Sequence, residues 1–398
     1  MPDLFLSFII AGIFINGLSL FVGLRHIYYM PRPTDRAKGV ATLILPLTGR
    51  APGFPALVAA INSQTLTPRR LIVAVESQGD PAYQQAMVSR VSAQFPIEIA
   101  IAGEAVYQAQ KCANLVAAIE LVDDQDDVVV FLDGDIMPPS WWLSSLVAPI
   151  TNNSADLVTG YRWQSVRHFR FGAFVIAAID RSLAIIPRVN IPLSRVVWGG
   201  SYAVTPETLI KMDLARSFQT TLSDDLKIAE RAGHLGLRIM TPSALLVPSP
   251  NDQTLTRAWH FGRRQYQMIW LYRPVLWWLA MATTLVRLLA WGVAMAASWT
   301  IALWALACLA MLAFMKQLTV QIIDRKLGFS MRRPFRLMFF GLAIVQPIVD
   351  LFHLSMIIAG GWARRVKWGH ITYEADGQRG FKVSKRRAWN QPTNQAEP

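Results

Sequence analysis

Charge is scarce in this sequence. Only 16% of its 398 residues are Asp, Glu, Lys or Arg, where a soluble domain carries roughly a quarter. Acidic side chains are the scarcer kind, 26 against 39 Lys and Arg, which leaves a net charge of +13. Cysteine is almost absent. The two present, Cys112 and Cys308, are far apart in the chain, which excludes a disulfide framework or a Cys-based zinc site and suits a reducing compartment. Low charge joined to 53% hydrophobic residues also excludes a disordered chain. What is abundant is apolar: mean hydropathy is +0.31 and there are 14 Trp, a residue that favours the membrane interface. The basic residues do not line a dispersed groove, which argues against nucleic acid. They gather beside apolar runs, at Arg25, Arg32, Arg36 and Lys38, at Arg263, Arg264 and Arg273, from Lys316 to Arg336 and from Arg364 to Arg387. Flanking bilayer segments and anionic lipid produce that distribution.

Residues 4–24 form an uncharged run long enough to cross a bilayer. Basic residues follow it, so it reads as an uncleaved anchor (1–30) that leaves the next segment in the cytoplasm. Over 39–272 the material changes. Short β-rich runs at 40–46, 71–76, 97–102, 127–133 and around 156–161 alternate with helical patterns at 53–65, 81–94, 108–122 and 206–213. Alternation of that kind predicts an α/β domain with a mostly parallel sheet. Apolar segments return near 275–297, 299–316 and 337–360, giving membrane helices over 273–361. The remainder, 362–398, reads as a basic cytoplasmic tail. Three C-terminal crossings would put that tail on the wrong side for its charge, so one segment is expected to be re-entrant. Arg287 points to the first of the three. The whole reads as an integral, multi-pass membrane protein.

The strongest local feature is Val128-Val-Val-Phe-Leu-Asp-Gly-Asp135, a hydrophobic strand ending in two carboxylates. The carboxyl edge of an open α/β sheet is where ligands bind. Asp133 and Asp135, one residue apart, are spaced to share a hard divalent cation with substrate phosphates. A second acidic pair, Asp224-Asp225 after Ser223, opens a helical pattern. Helix capping explains that pair equally well, so the pattern alone does not assign it. Lys111 and Asn114 share a helical face by spacing, either as a solvated helix start or as a cation and an amide aimed at a diphosphate.

These elements occur in a particular order: Val75-Glu76-Ser-x-x-Asp80-Pro81, Lys111-x-x-Asn114-Leu115, Asp133-Gly-Asp135, Trp198-Gly199-Gly200-Ser201 and Ser223-Asp224-Asp225-Leu226. Taken together they resemble the family 2 type of GT-A glycosyltransferases. With the flanking membrane segments they are most similar to the ceramide glucosyltransferase group and its hopanoid-pathway relatives. The resemblance covers residues 40 to about 270 and implies an α/β GT-A catalytic domain. Carried over position by position, it implies donor binding by Glu76, Asp80, Lys111, Asn114 and Asp133, with Glu76 where uridine is held. It implies metal binding by Asp133 and Asp135 and a general base at Asp225 beside Asp224. Gly199, Gly200 and Ser201 would line the acceptor side. The family's Q/R-x-x-R-W element is not present as written, and Trp259, Arg263, Arg264 and Gln265 stand nearest to it on the acceptor or diphosphate side. Trp362 to Tyr373 resembles the group's terminal W-x-G-x-Y signature.

The expected chemistry is inverting transfer of a sugar from a UDP-sugar to a lipid hydroxyl, such as that of ceramide or a hopanoid. It would be assisted by Mg²⁺ or Mn²⁺ and carried out at the bilayer surface. Three alternatives use part of the same pattern: a processive polysaccharide synthase, a polyprenyl-phosphate sugar transferase, and a non-catalytic membrane scaffold or transporter.

Overall fold

Five consecutive apolar residues, all buried, make β4 (Val128–Leu132) an interior strand. Parallel sheets covered on both faces select near-continuous apolar runs of this kind. Its sheet contains β1 (Ala41–Pro46), β2 (Arg70–Val75), β3 (Ile97–Ile101), β5 (Leu157–Thr159), β7 (Ser201–Val204) and β8 (Ile239–Met240) in the order β3-β2-β1-β4-β7-β5-β8. Between β5 and β7 in the chain lies β6 (Tyr161–Val166), which pairs with β9 (Leu246–Asn251) in a separate ribbon. The pairs β1-β2, β2-β3, β1-β4 and β5-β8 are parallel, whereas β7 runs antiparallel to both β4 and β5. The mostly parallel sheet expected from the alternation is therefore present. The chain builds outward from β1 to β3 and then returns to the other side of β1 at β4. That reversal opens the crevice in which α/β sheets bind ligands.

The computed structural model describes residues 2–186, 195–329, 331–362, 364–376 and 380–389. The chain forms two units, and neither is continuous in sequence. One gathers Arg32–Arg162, Arg188–Ser249 and Arg364–Pro398; the other gathers Met1–Pro31, Trp163–Pro187 and Pro250–Ala363. The expected linear division ran from 39 to 272 for the catalytic domain, so the units divide the chain differently. The first is built on the seven-stranded sheet. Its core joins Leu43, Leu45, Val73 and Val130 of the strands to Phe54, Leu57, Trp142 and Leu146 of the covering helices.

The expected basic tail carries strands within residues 364–376 and 380–389. Strands β10 (Arg365–Trp368), β11 (Ile371–Asp376) and β12 (Gly380–Arg386) form an antiparallel sheet. Val366, Ile371 and Tyr373 are each at most 2% exposed, while Lys367 and Lys385 point outward. Alternation of apolar and charged residues thus gives a half-buried ribbon instead of a free tail. The part of the expected tail beyond 389 lies outside the described residues.

The second unit is helical. Three helices, Phe5–Tyr28, Pro274–Ala296 and Trp299–Lys326, are long and apolar enough to cross a membrane. Phe14, Phe21, Leu303 and Trp304 stand exposed along them, as lipid-facing side chains would. The segment expected to be re-entrant, 275–297, is an unbroken helix. Its Arg287 is compensated by Asp350 at 2.7 Å, which is why one charge does not interrupt it. The break falls in the last segment, where helices Arg333–Ile344 and Gln346–Trp362 meet at 81°. Helix Phe171–Ala184 packs in the same unit, with Phe174 against Phe335 and Phe339.

Candidate active site

Antiparallel pairing of β7 with β4 brings two sequence motifs to one point. Ser201 lies opposite Leu132, so the preceding glycines run alongside Asp133, whose backbone N–H faces the Gly200 carbonyl at 3.4 Å. A side chain on Gly200 would meet the Asp133 carboxylate at 2.8 Å, and one on Gly199 would meet Asp224 Oδ2 at 2.2 Å and Asp225 Oδ1 at 2.6 Å. Three carboxylates therefore close around a backbone with no side chain.

The second acidic pair arrives on helix Asp224–His234, whose N-cap Ser223 accepts a hydrogen bond from the Leu226 N–H. Its first turn is tied to helix Gln110–Ile119, because the Ala109 N–H donates to the Thr221 carbonyl at 2.9 Å. Lys111 follows directly. Its Nζ sits 2.8 Å from Asp133 Oδ1 and 2.9 Å from Asp224 Oδ2. Burial works against the ammonium, but Asp133, Asp224 and Asp225 outweigh it and hold Lys111 well above the ordinary lysine pKa. Asp224 is 1% exposed whereas Asp225 is half-buried. Burial first, and the Asp224 charge second, push the Asp225 pKa well above the usual carboxylate range. Capping and clustering coexist here: this one helix start satisfies Ser223 and presents both carboxylates.

Asp135 stands at the exposed edge beyond Asp133. Crowded carboxylate oxygens of this kind fit a hard cation, which relieves their repulsion and accepts oxygen ligands. Among the described residues no group of three or more His, Cys, Asp or Glu is placed to hold a metal ion.

Other expected site residues are placed differently. Asn114 is fully buried, and its Nδ2 donates to the carbonyls of Leu47 at 2.8 Å and Ala74 at 3.1 Å. Its amide thereby ties together the ends of β1 and β2, where the Ala74 carbonyl also accepts from the Leu47 N–H at 2.8 Å. Asp80 caps helix Pro81–Ser89 and accepts from the Ala82 and Gly49 N–H groups. It thus fixes the loop after β1 from within, and burial raises its pKa even though both N–H groups oppose that. Ser201 faces the core, where its Oγ accepts from Trp142 Nε1 at 2.8 Å. Glu76 ends β2, is buried, and is held by groups no local pattern indicated. Arg386 Nη1 lies at 2.6 Å and His370 Nε2 at 3.3 Å, both from the C-terminal ribbon.

Trp259, Arg263, Arg264 and Gln265 lie on helix Leu255–Tyr272 of the helical unit. There Trp259 Nε1 donates to Ser355 Oγ at 3.0 Å, and the Arg263 guanidinium lies 5.8 Å from the Trp259 ring centroid.

A model of glycosyl transferase family 21 matches residues 4–379. The chain belongs to that family. It is a glycosyltransferase with an α/β GT-A fold combined with apolar helices, as the motif order led one to expect. Among solved structures, this family 21 chain is similar to a mannosyltransferase from Pyrobaculum calidifontis in complex with GDP-Man and Mn²⁺. Identity is 14%, coverage 89% of this chain and 97% of that one, and the TM-score 0.45. It is also similar to glucosyl-3-phosphoglycerate synthase from Mycobacterium tuberculosis, in complex with Mn²⁺, UDP-Glc and glycerol 3-phosphate, at 15% identity, 59% and 80% coverage and a TM-score of 0.35. No curated protein matches it significantly.

Proposed function

We propose that this glycosyltransferase is a membrane-bound inverting enzyme that moves a hexose from a UDP-sugar to a lipid hydroxyl, of the ceramide or hopanoid kind. The convergence of Asp133, Asp224, Asp225 and Lys111 on Gly199 and Gly200 is the observation that carries the reading. In it, Asp225 accepts the proton of the acceptor hydroxyl as that oxygen attacks the anomeric carbon, the work of a positioned carboxylate. The bond from the anomeric carbon to the diphosphate breaks as the new one forms, and configuration inverts because base and leaving group lie on opposite faces. Lys111 holds Asp224 and Asp133 in register. Its fixed positive charge also faces the anion that develops on the leaving group. Asp133 and Asp135 would hold Mg²⁺ or Mn²⁺, which when bound neutralises charge on the diphosphate.

A lipid acceptor is supported by the second unit. Its long apolar helices suit a bilayer, where a lipid hydroxyl stays at the surface and the enzyme must meet it. Mass spectrometry of lipid extracts, from one host with and without the gene, tests this directly. A new glycolipid that is absent from an Asp225→Asn strain is the expected result. A glycosylated polymer or polyprenyl phosphate in its place would overturn the acceptor assignment.

A further inference from the structure

The carboxyl ends of β1 and β2 lie beside the acidic strand end of β4. A nucleoside diphosphate whose phosphates sit at Asp133 therefore extends its base along this edge toward Glu76. What meets it there comes from the far end of the chain. Arg386 holds the Glu76 carboxylate, donates to the Ala105 carbonyl at 2.9 Å, and bonds Gln110 Oε1. The ribbon is seated by two further contacts: Tyr373 Oη accepts from the Gln110 N–H at 3.0 Å, and the Val383 N–H donates to the Val106 carbonyl at 2.8 Å. Beside them, the rings of His370 and Trp389 lie 3.8 Å apart, and Trp389 rests on Gly49. The loop after β1, residues 47–53, contains no aromatic side chain, so a base at this edge finds its aromatic surface in the ribbon.

We propose that the C-terminal ribbon is the nucleobase wall of the donor site. Trp389 and His370 give the face on which the base stacks, and Glu76 with Arg386 gives an acceptor and a donor for its edge. A buried carboxylate beside a guanidinium complements a base that offers both an N–H and a carbonyl, as uracil and guanine do. This assigns work to the Trp362 to Tyr373 stretch, within which Gly369 and His370 turn β10 into β11 and Tyr373 is seated on Gln110. The inference rests on the glycosyltransferase reading above and extends the donor site to residues more than 200 positions beyond Asp133 and Asp135.

The test uses the full-length protein in detergent or nanodiscs. Trypsin has sites in the ribbon at Lys382, Lys385, Arg386 and Arg387. UDP alone should slow cleavage there about tenfold, with GDP and ADP run in parallel, and should fail to do so for Glu76→Gln. Trp389→Ala should raise the donor KM on the order of tenfold, the scale of one base–aromatic stack, with acceptor KM nearly unchanged. Trp389→Phe should restore most of the loss, which a purely structural role would not require. If wild type transfers sugar while no nucleoside diphosphate alters ribbon cleavage, the proposal is overturned. It is overturned equally if Trp389→Ala folds and keeps the donor KM. Protection by UDP in a protein that transfers no sugar would instead retain the ribbon site and remove the glycosyltransferase reading. Should Trp389→Ala not fold, wild-type protection against Glu76→Gln decides.

Discussion

At position 199 any side chain would stand where two carboxylates already are. Gly199→Ala places a methyl within 2.2 Å of Asp224 and 2.6 Å of Asp225, so both must move. Displacement of reacting groups by about 1 Å costs roughly a hundredfold in rate, and that loss is expected in sugar transfer. Gly79→Ala, whose nearest neighbour is at 3.6 Å, should leave the rate nearly unchanged and serves as its control. Equal rates for the two variants would remove Gly199 from the site. The acidic pair separates in the same way. Asp225→Asn keeps shape and should lower transfer by at least about a hundredfold, with melting temperature and donor affinity preserved. Asp224→Asn takes one of the two carboxylates from the buried Lys111. It should lower the melting temperature, because removing one partner of a buried pair leaves charge uncompensated. Turnover abolished by Asp224→Asn and retained by Asp225→Asn would reverse the assignment of the base.

Among the elements, β4 was legible because five apolar residues in a row can only be an interior strand when Asp and Gly stop them at 133. The antiparallel β7 was not. Its four residues follow Trp-Gly-Gly, and strand direction leaves no mark on a sequence that short. The ribbon is the instructive case. Val366, Ile371, Tyr373 and Val383 alternate with charged or polar residues, the ordinary strand signal, yet the density of Lys and Arg there reads as a tail. Its ion pair joins Glu76 to Arg386 across 310 residues, and no local period records such a distance. Asn114 shows the converse. Helical spacing put it beside Lys111 correctly, but only tertiary structure decides that its amide meets strand-end carbonyls. Asn114→Ala should accordingly cost about 1–3 kcal/mol of stability, the scale for orphaned buried polar groups. Differential scanning fluorimetry would read it as a lower melting temperature, with donor KM little changed. A normal melting temperature with a large rise in donor KM would return the amide to the diphosphate.

For the whole molecule, the discontinuous origin of the sheet unit constrains how the chain meets a bilayer. Residues 32–162 and 364–389 belong to one unit, so any membrane between 250 and 364 must be crossed an even number of times. In the membrane-bound reading proposed above, helices Pro274–Ala296 and Trp299–Lys326 would supply two crossings, and the pair bent by 81° would enter and leave one face. Under that reading the basic run Arg32, Arg36 and Lys38 would keep the sheet unit on the cytoplasmic side. In intact cells Ser298→Cys should react with a membrane-impermeant maleimide and Ser154→Cys should not; labelling of both would break the parity. The same discontinuity sets a timetable for synthesis. A ribosome delivers the acidic strand end and the paired carboxylates well before Tyr373 and Arg386 exist, and domains ordinarily fold as their own residues emerge. Here the seven-stranded sheet is complete in sequence by residue 240, but Glu76 lacks Arg386 and His370 until residues 364–389 are released. Nascent chains stalled at residue 360 should therefore be more protease-sensitive around Glu76 than released chains, so that this edge is the last part of the sheet unit to mature.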